Sequence, residues 1–175
     1  MSEIKSLFVL SPINTIEEIV NSLIEPVELV KGKYSKLEFR IINNEISLIH
    51  LGKNIKEFTN VWILSHWGAR DIAYAVNLYL NHHNTSHTKV EKGTSKITDQ
   101  MVFALNGIQM PNTFFINNAD ITNYVETIES ICGYPLIIKK IIGSGGLDSL
   151  LINNRKELIE QSKTLLINSK YMYQK

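Results

Sequence analysis

The chain has 175 residues, of which 44% are hydrophobic and 20% are charged, which is typical of a soluble globular protein with a sizeable core. The formal net charge of +1 excludes a whole-molecule field that would attract nucleic acid or an acidic membrane. The single cysteine, Cys132, excludes an internal disulfide, and the sequence shows no signal peptide or membrane span. We therefore expect a cytoplasmic protein.

The first half of the chain alternates strand and helix patterns. Thr15 and Glu18 form a capping-box pattern ahead of an apolar stripe that ends before Pro26. The predicted elements, in chain order, are a strand over 7–10, a helix over 15–24, a hairpin over 37–48, a strand over 61–64 and a helix over 69–81. This order predicts an α/β domain over residues 1–89.

A polar, histidine-rich run at 82–88 separates the two halves, and we interpret it as a linker. The spacing of its histidines, His82, His83 and His87, matches no standard metal-ligand pattern, so we predict no metal there. Beyond it, the patterns predict a helix capped by Thr94 or Ser95, a strand over 113–116, a helix over 121–131, a strand hairpin, a helix over 158–166 and a strand over 171–175.

The most informative stretch is residues 133–151, where an apolar strand carrying Lys139 and Lys140 enters a loop that reads Gly143-Ser144-Gly145-Gly146. Glycine amides can approach phosphate oxygens closely, and a nearby lysine adds counter-charge. A second strand follows, rather than the Lys-Ser/Thr and helix of a P-loop. The stretch predicts a phosphate-covering hairpin, with an ordinary turn as the alternative. Alternation places Lys139 on the face of Ile137 and leaves Lys140 on the other, solvated face.

Two segments together resemble the ATP-grasp ligases, in particular RimK-type and glutathione-synthetase-like carboxylate–amine ligases. The first segment, residues 95–113, has a helix with a leading lysine, Lys96, then a Gly-Ile pair and a Pro-x-Thr that enters a strand. The second segment is the lysine strand and glycine loop of 135–146. The two segments occur in the order and at the spacing of the family.

The resemblance implies an α/β fold in which a pre-ATP-grasp domain, residues 1–89, precedes the first, lysine-bearing subdomain of an ATP-grasp fold, residues 90–175. The second subdomain of that fold is expected to be absent. The resemblance assigns binding of the ATP phosphates to Lys96, Lys139, Gly143, Ser144 and Gly146.

The implied chemistry joins a carboxylate, on a small molecule or peptide, to an amine. ATP with Mg²⁺ phosphorylates the carboxylate, and the amine then displaces phosphate. The family's magnesium ligands lie in the second subdomain, so the resemblance implies no catalytic or metal residue in these 175 residues and no activity for them alone. Asp148 stands where the family often has glycine, which puts loop mobility in doubt. Gln174, near the hinge strand, is a candidate for contact with the base.

His66 and Arg70 follow the predicted strand over 61–64, at the edge where α/β folds place ligands. An arginine there could bind a substrate carboxylate through two hydrogen bonds. The alternative is an ion pair at the start of a helix, with packing by Trp67. We keep both interpretations open at this point.

The aromatic strand pattern over 171–175 predicts that the natural protein continues and that an exposed sheet edge there could pair two copies of the chain. Two other functions fit the same sequence. One is a short protein that binds a nucleotide or a partner chain without catalysis, and the other is an α/β interaction module with no ligand. Replacing Lys139 should remove a response to ATP in a nucleotide-binding protein and change nothing in an interaction module.

Overall fold

The computed structural model describes residues 5–11, 27–117, 121–143, 149–166 and 169–175. Within these ranges the strands are β1 (Ser6–Leu10), β2 (Glu28–Gly32), β3 (Leu37–Ile42), β4 (Glu45–His50), β5 (Lys53–Asn54), β6 (Asn60–Ile63), β7 (Ser86–His87), β8 (Thr113–Ile116), β9 (Leu136–Lys140), β10 (Ser149–Ile152) and β11 (Tyr171–Gln174). The α-helices are α1 (Arg70–His82), α2 (Lys96–Leu105), α3 (Val125–Cys132) and α4 (Arg155–Ser162). The helix predicted over 15–24 lies outside the described residues.

The smaller sheet is parallel, with the strand order β2-β1-β6-β7. Residues 7–10 of β1 are all buried, as expected for a parallel strand covered on both faces. The interpretation of 82–88 as a linker is wrong in part. α1 continues to His82, and β7 pairs with β6. The His87 imidazole contacts the carbonyl oxygen of Thr85 at 2.7 Å and the amide oxygen of Asn77 at 3.2 Å.

The larger sheet is antiparallel, with the strand order β10-β9-β11-β8-β3-β4-β5. It contains the predicted hairpins, β3–β4 and β9–β10. β11 pairs with β8 on one side and β9 on the other, so the expectation of an exposed edge at 171–175 is wrong, and with it the argument for pairing two copies there. β3 pairs with β8, so strands from both sides of residue 89 share this sheet, and the division into two domains at that residue stays a prediction.

Each face of the larger sheet packs against a different hydrophobic core. Phe115 and Met172 belong to the core that contains Ile97 and Met101 of α2. Their sequence neighbours Phe114 and Tyr173 belong to the core formed with α3 and α4. Because side chains alternate along a strand, β8 and β11 each contribute to both cores.

The predicted helix boundaries agree with the structure for α2 and differ for α4. Ser95 is the N-cap residue of α2, so the predicted start of this helix is confirmed, and its N–H donates to the Thr98 hydroxyl at 2.8 Å. α4 ends at Ser162, which places Leu165 and Leu166 beyond the helix, because the chain must turn there to enter β11. Among the described residues, none of the helices combines the length and apolarity needed to cross a bilayer.

Candidate functional site

Lys139 lies on β9 on the face that packs against α2, because its register partner on β11 is Met172. This is the face that strand alternation predicted for it, shared with Ile137. Its ammonium group donates to Oε1 of Gln174 at 2.6 Å. The side chain of Lys139 is half-buried, and Gln174 is buried.

Gln174 is fixed by a row of buried polar groups. Its Nε2 donates to the Thr113 hydroxyl at 3.1 Å, and that hydroxyl can donate either to Oε1 of Gln100 at 3.0 Å or to the carbonyl oxygen of Pro111 at 2.9 Å. A lysine ammonium can only donate, so Gln174 must turn its carbonyl oxygen toward Lys139. The row therefore fixes the position of the Lys139 head group.

Lys96 is the first residue of α2, and it contacts the end of the strand that carries Lys139. Its ammonium group donates to the carbonyl oxygens of Lys140 and Gly143, each at 2.8 Å, and its backbone N–H donates to the carbonyl oxygen of Ile141 at 3.0 Å. Gly143 has a φ of 136°, which favours glycine. The other predicted loop residues, Ser144, Gly146 and Asp148, lie outside the described residues.

A cavity of about 520 Å³ lies between the start of α1 and the end of β9. One wall comes from the parallel-sheet side and the other from the lysine strand and the segment before β11. The side chains that matter for its chemistry are Trp67, Arg70, Asp71, Lys140, Ile142 and Lys170.

Arg70 lines this cavity, and its guanidinium group also pairs with Glu91 at 2.6 Å and lies 5.8 Å from the centre of the Trp67 ring. The structure therefore shows the ion pair and the packing by Trp67 of the second interpretation, and binding of a substrate carboxylate by Arg70 stays a prediction. The carboxylate-bearing side chain of Glu91 is 78% exposed, so solvent screens this pair and its contribution to stability is small. The guanidinium group thus remains able to exchange Glu91 for another carboxylate.

His66 has a different place from Arg70. It precedes the short 3-10 helix Trp67–Ala69, and its Nδ1 accepts a hydrogen bond from the Gly68 N–H at 3.2 Å. The Ala69 N–H donates to the His66 carbonyl oxygen at 2.9 Å. His66 therefore shapes the turn that presents Trp67.

Three further charged residues line the cavity: Asp71, which with Arg70 follows the predicted strand over 61–64, and Lys140 and Lys170, whose place at the site escaped sequence reasoning. The Lys170 ammonium donates to Oδ1 of Asp71 at 2.6 Å and to the carbonyl oxygen of Gly68 at 2.7 Å. Lys140, expected on a solvated face, instead lines the cavity as the last residue of β9. Local periodicity carries no signal for this arrangement, because the three residues meet only through tertiary packing.

No three His, Cys, Asp or Glu side chains lie close enough to hold a metal ion in the part of the chain that the structure describes. Lys96 and Lys139 carry ammonium groups, which can donate hydrogen bonds to phosphate oxygens. Cys132 is buried, and burial raises the pKa of its thiol to about 12, so it is protonated at neutral pH and is a poor nucleophile.

Residues 93–175 match the family model of the RimK-like ATP-grasp domain. The resemblance to the ATP-grasp superfamily is confirmed for these residues. The chain also has the predicted mixture of helices and strands. No curated protein matches the chain.

Solved structures similar to the chain include D-alanyl-alanine synthetase A from Vibrio cholerae, at 10% identity and a TM-score of 0.39, covering 99% of this chain and 59% of that one. A RimK domain ATP-grasp protein from Sphaerobacter thermophilus has 13% identity, a TM-score of 0.39 and coverages of 97% and 63%. D-alanine–D-alanine ligase from Bacillus anthracis, complexed with ATP, has 12% identity, a TM-score of 0.37 and coverages of 99% and 57%. The chain spans less than two thirds of the length of these structures.

Proposed function

We propose that this chain supplies the lysine-bearing, phosphate-binding part of an ATP-dependent carboxylate–amine ligase. The observation that carries the proposal is the placement of Lys96, whose ammonium group bonds to the carbonyl oxygens of Lys140 and Gly143. This contact brings the first lysine of the α2 segment to the beginning of the glycine loop, beside the strand that holds Lys139. The match of residues 93–175 to the RimK-like domain supports the same proposal.

In this proposal Lys96 and Lys139 neutralise the phosphates of ATP, and the loop from Gly143 to Gly146 covers them. Each charge-assisted contact contributes about 1.5–3 kcal/mol to binding. Both ammonium groups already lie against neutral oxygen acceptors, so a phosphate can replace these acceptors without a large movement of either side chain. ATP, when bound, would supply the phosphoryl group that activates a carboxylate toward an amine.

We assign the carboxylate of the acceptor substrate, a small molecule or a peptide, to Arg70 in the cavity. His66 contributes by holding the turn beside it rather than by direct contact. In this proposal the magnesium ligands lie outside the 175 residues, and we expect these residues alone to bind ATP without forming an amide bond.

The test is the stabilisation of the folded chain by ATP, measured as a shift in the melting temperature. Lys139→Ala should weaken ATP binding about tenfold to a hundredfold, because the variant loses one charge-assisted contact. The ATP-dependent shift should shrink accordingly, since a ligand stabilises the native state in proportion to the logarithm of its concentration over its dissociation constant.

Lys156→Ala is the matched control, because Lys156 is a lysine on the surface of α4 whose side chain is 83% exposed. This variant should keep the full ATP response. Identical responses from the parent chain and Lys139→Ala would contradict the nucleotide-binding proposal and favour an interaction module.

A further inference from the structure

The exposed Trp67 beside the Arg70 cavity defines a more specific ligand than a bare carboxylate. Resting on the ligase function proposed above, we propose that the acceptor is an aromatic carboxylic acid. Its ring would stack on Trp67 while its carboxylate binds Arg70 and Lys140. Four observations support this assignment: the exposure of Trp67, its fixed position, its contact with Arg70 and the charge of the cavity.

The Trp67 side chain is largely exposed, with 87% of the residue surface accessible. Tryptophan is highly buried on average, so an indole left in solvent at the mouth of a cavity is a feature of ligand-binding surfaces. Ile142, on the opposite wall of the same cavity, is 60% exposed. The mouth of the cavity thus offers apolar surface on both sides.

The turn that carries Trp67 is held at three points. The His66 ring accepts a hydrogen bond from the Gly68 N–H, and the His66 carbonyl oxygen accepts one from the Ala69 N–H. Ala69 is buried, and the Gly68 carbonyl oxygen accepts a hydrogen bond from Lys170. A ligand that stacks on the indole therefore meets a backbone already in place. Such preorganisation lowers the entropic cost of binding.

Arg70 brings the charged and aromatic parts of the site together. Its guanidinium group lies 5.8 Å from the centre of the Trp67 ring, within the range of a cation–π contact. A carboxylate bound to this guanidinium group would therefore sit next to the indole. A ring attached near that carboxylate would reach the indole, whereas a short aliphatic acid would leave it uncovered.

The remaining charges favour an anion in the cavity. Lys170 is neutralised by Asp71, whereas the Lys140 ammonium group has no hydrogen-bond or ion-pair partner among the residues that the structure describes. Among the described residues, Arg70 forms an ion pair only with the exposed Glu91. Two cationic groups are thus available to one carboxylate, and a cavity of about 520 Å³ is large enough for a small aromatic acid.

The experiment compares three matched ligands by the fluorescence of Trp67 in Trp62→Phe, which removes the other tryptophan of the chain. The ligands are 3-phenylpropionate, hexanoate, which lacks the ring, and 3-phenylpropionamide, which lacks the charge. We expect 3-phenylpropionate to change the emission and to bind about threefold to tenfold more tightly than hexanoate, because aromatic pairs add to simple area burial. The amide should bind about tenfold more weakly than the acid.

Two variants separate the contributions, with binding measured by ligand-observed NMR. Trp67→Ala should bind 3-phenylpropionate and hexanoate equally. Lys140→Gln should weaken binding of both acids and leave the amide unchanged. The same NMR comparison on the unaltered chain replaces the fluorescence titration if Trp62→Phe does not fold.

Equal binding of the two acids by the parent chain, an unchanged Trp67 emission or no binding at millimolar ligand would overturn the inference. ATP-dependent stabilisation, measured on the same samples, tests the ligase proposal separately. A chain that responds to ATP but shows no ring preference refutes only the aromatic acceptor. A chain that prefers the aromatic acid but ignores ATP refutes the ligase proposal, and with it the role of that acid as an acceptor.

Discussion

At the scale of single residues, the buried row from Gln100 through Thr113 to Gln174 links α2, β8 and β11 below Lys139. Each member supplies the partner that its neighbour needs, and all three side chains are buried. Removing one member leaves a buried polar group without its hydrogen bond, which costs more than the bond itself contributes.

Gln174→Leu should therefore lower the free energy of unfolding by about 1–3 kcal/mol, measured by urea denaturation. Gln161→Leu, an exposed position on α4, should change it by less than about 0.5 kcal/mol. The double variant Gln174→Leu with Thr113→Val should cost less than the sum of the single variants by about 0.5 kcal/mol or more. Strictly additive costs would show that the two side chains do not stabilise each other.

At the scale of elements, the segment before α2 lies directly against the first turn of α1. A Cβ added to Gly93 would lie 2.7 Å from the carbonyl oxygen of Arg70 and 2.8 Å from the Cα of Asp71. Both contacts are with backbone, so neither can be relieved by turning a side chain. This close approach forms one wall of the cavity.

Gly93→Ala should cost about 1–3 kcal/mol of stability, as extra atoms in a packed region do. It should also speed hydrogen exchange in the first turn of α1, because that turn must move away. Gly52→Asn is the comparison variant: a Cβ at Gly52 would meet nothing within 4 Å, so its cost comes only from the φ of +85°, which side chains rarely adopt. Hydrogen exchange in the first turn of α1 should be unchanged in Gly52→Asn, and equally unchanged exchange in Gly93→Ala would mean that the segment adjusts freely.

At the scale of the whole molecule, His50 joins the two sheets. It ends β4 of the larger sheet, its ring lies 5.0 Å from that of Phe8 in β1, and its Nε2 accepts a hydrogen bond from the Lys33 N–H at 3.3 Å. Burial lowers the pKa of His50 below its usual value. Its neutral form is the one that the hydrogen bond from Lys33 requires.

As the pH falls, His50 becomes protonated in the unfolded chain, where its pKa is about 6.5, at a higher pH than in the folded chain. The contribution of His50 to stability is therefore complete above about pH 6.5 and is lost as the pH falls toward the lowered pKa of the folded state. His50→Gln should reduce the slope of unfolding free energy against pH between about pH 7 and pH 5.

The pKa of His83 is also lowered, first by burial and then by the charges of Lys56 and His82. His83→Gln is therefore the comparison variant, and the double variant should show the flattest profile. A slope in His50→Gln equal to that of the parent would contradict a role for His50 in the pH dependence.

The features that sequence predicted correctly are local ones. The β3–β4 hairpin, the cap at Ser95 and the placement of Lys139 on the face of Ile137 follow from alternation and capping, which depend on residues only a few positions apart.

The features that sequence missed depend on contacts between distant residues. The residue pattern of β11 predicts a strand, but it does not predict that this strand will pair with β8 on one side and β9 on the other. Lys140 ends β9 and Lys170 precedes β11, so the two lysines reach one cavity only because these two strands are antiparallel neighbours. Pairing order between strands, and the sites that it creates, is not encoded in periodicity.

β8 and β11 each contribute side chains to both cores, so an insertion or deletion within them has a different effect from a substitution. Met172 and Tyr173 face different cores, and Gln174 meets both Lys139 and Thr113. One inserted or deleted codon within β11 would exchange the two faces and turn Gln174 away from both partners. Substitutions in this strand can be absorbed one at a time, whereas a change of its length would disturb both cores and the lysine together. The length of β11 should therefore vary less among related sequences than the identity of its residues.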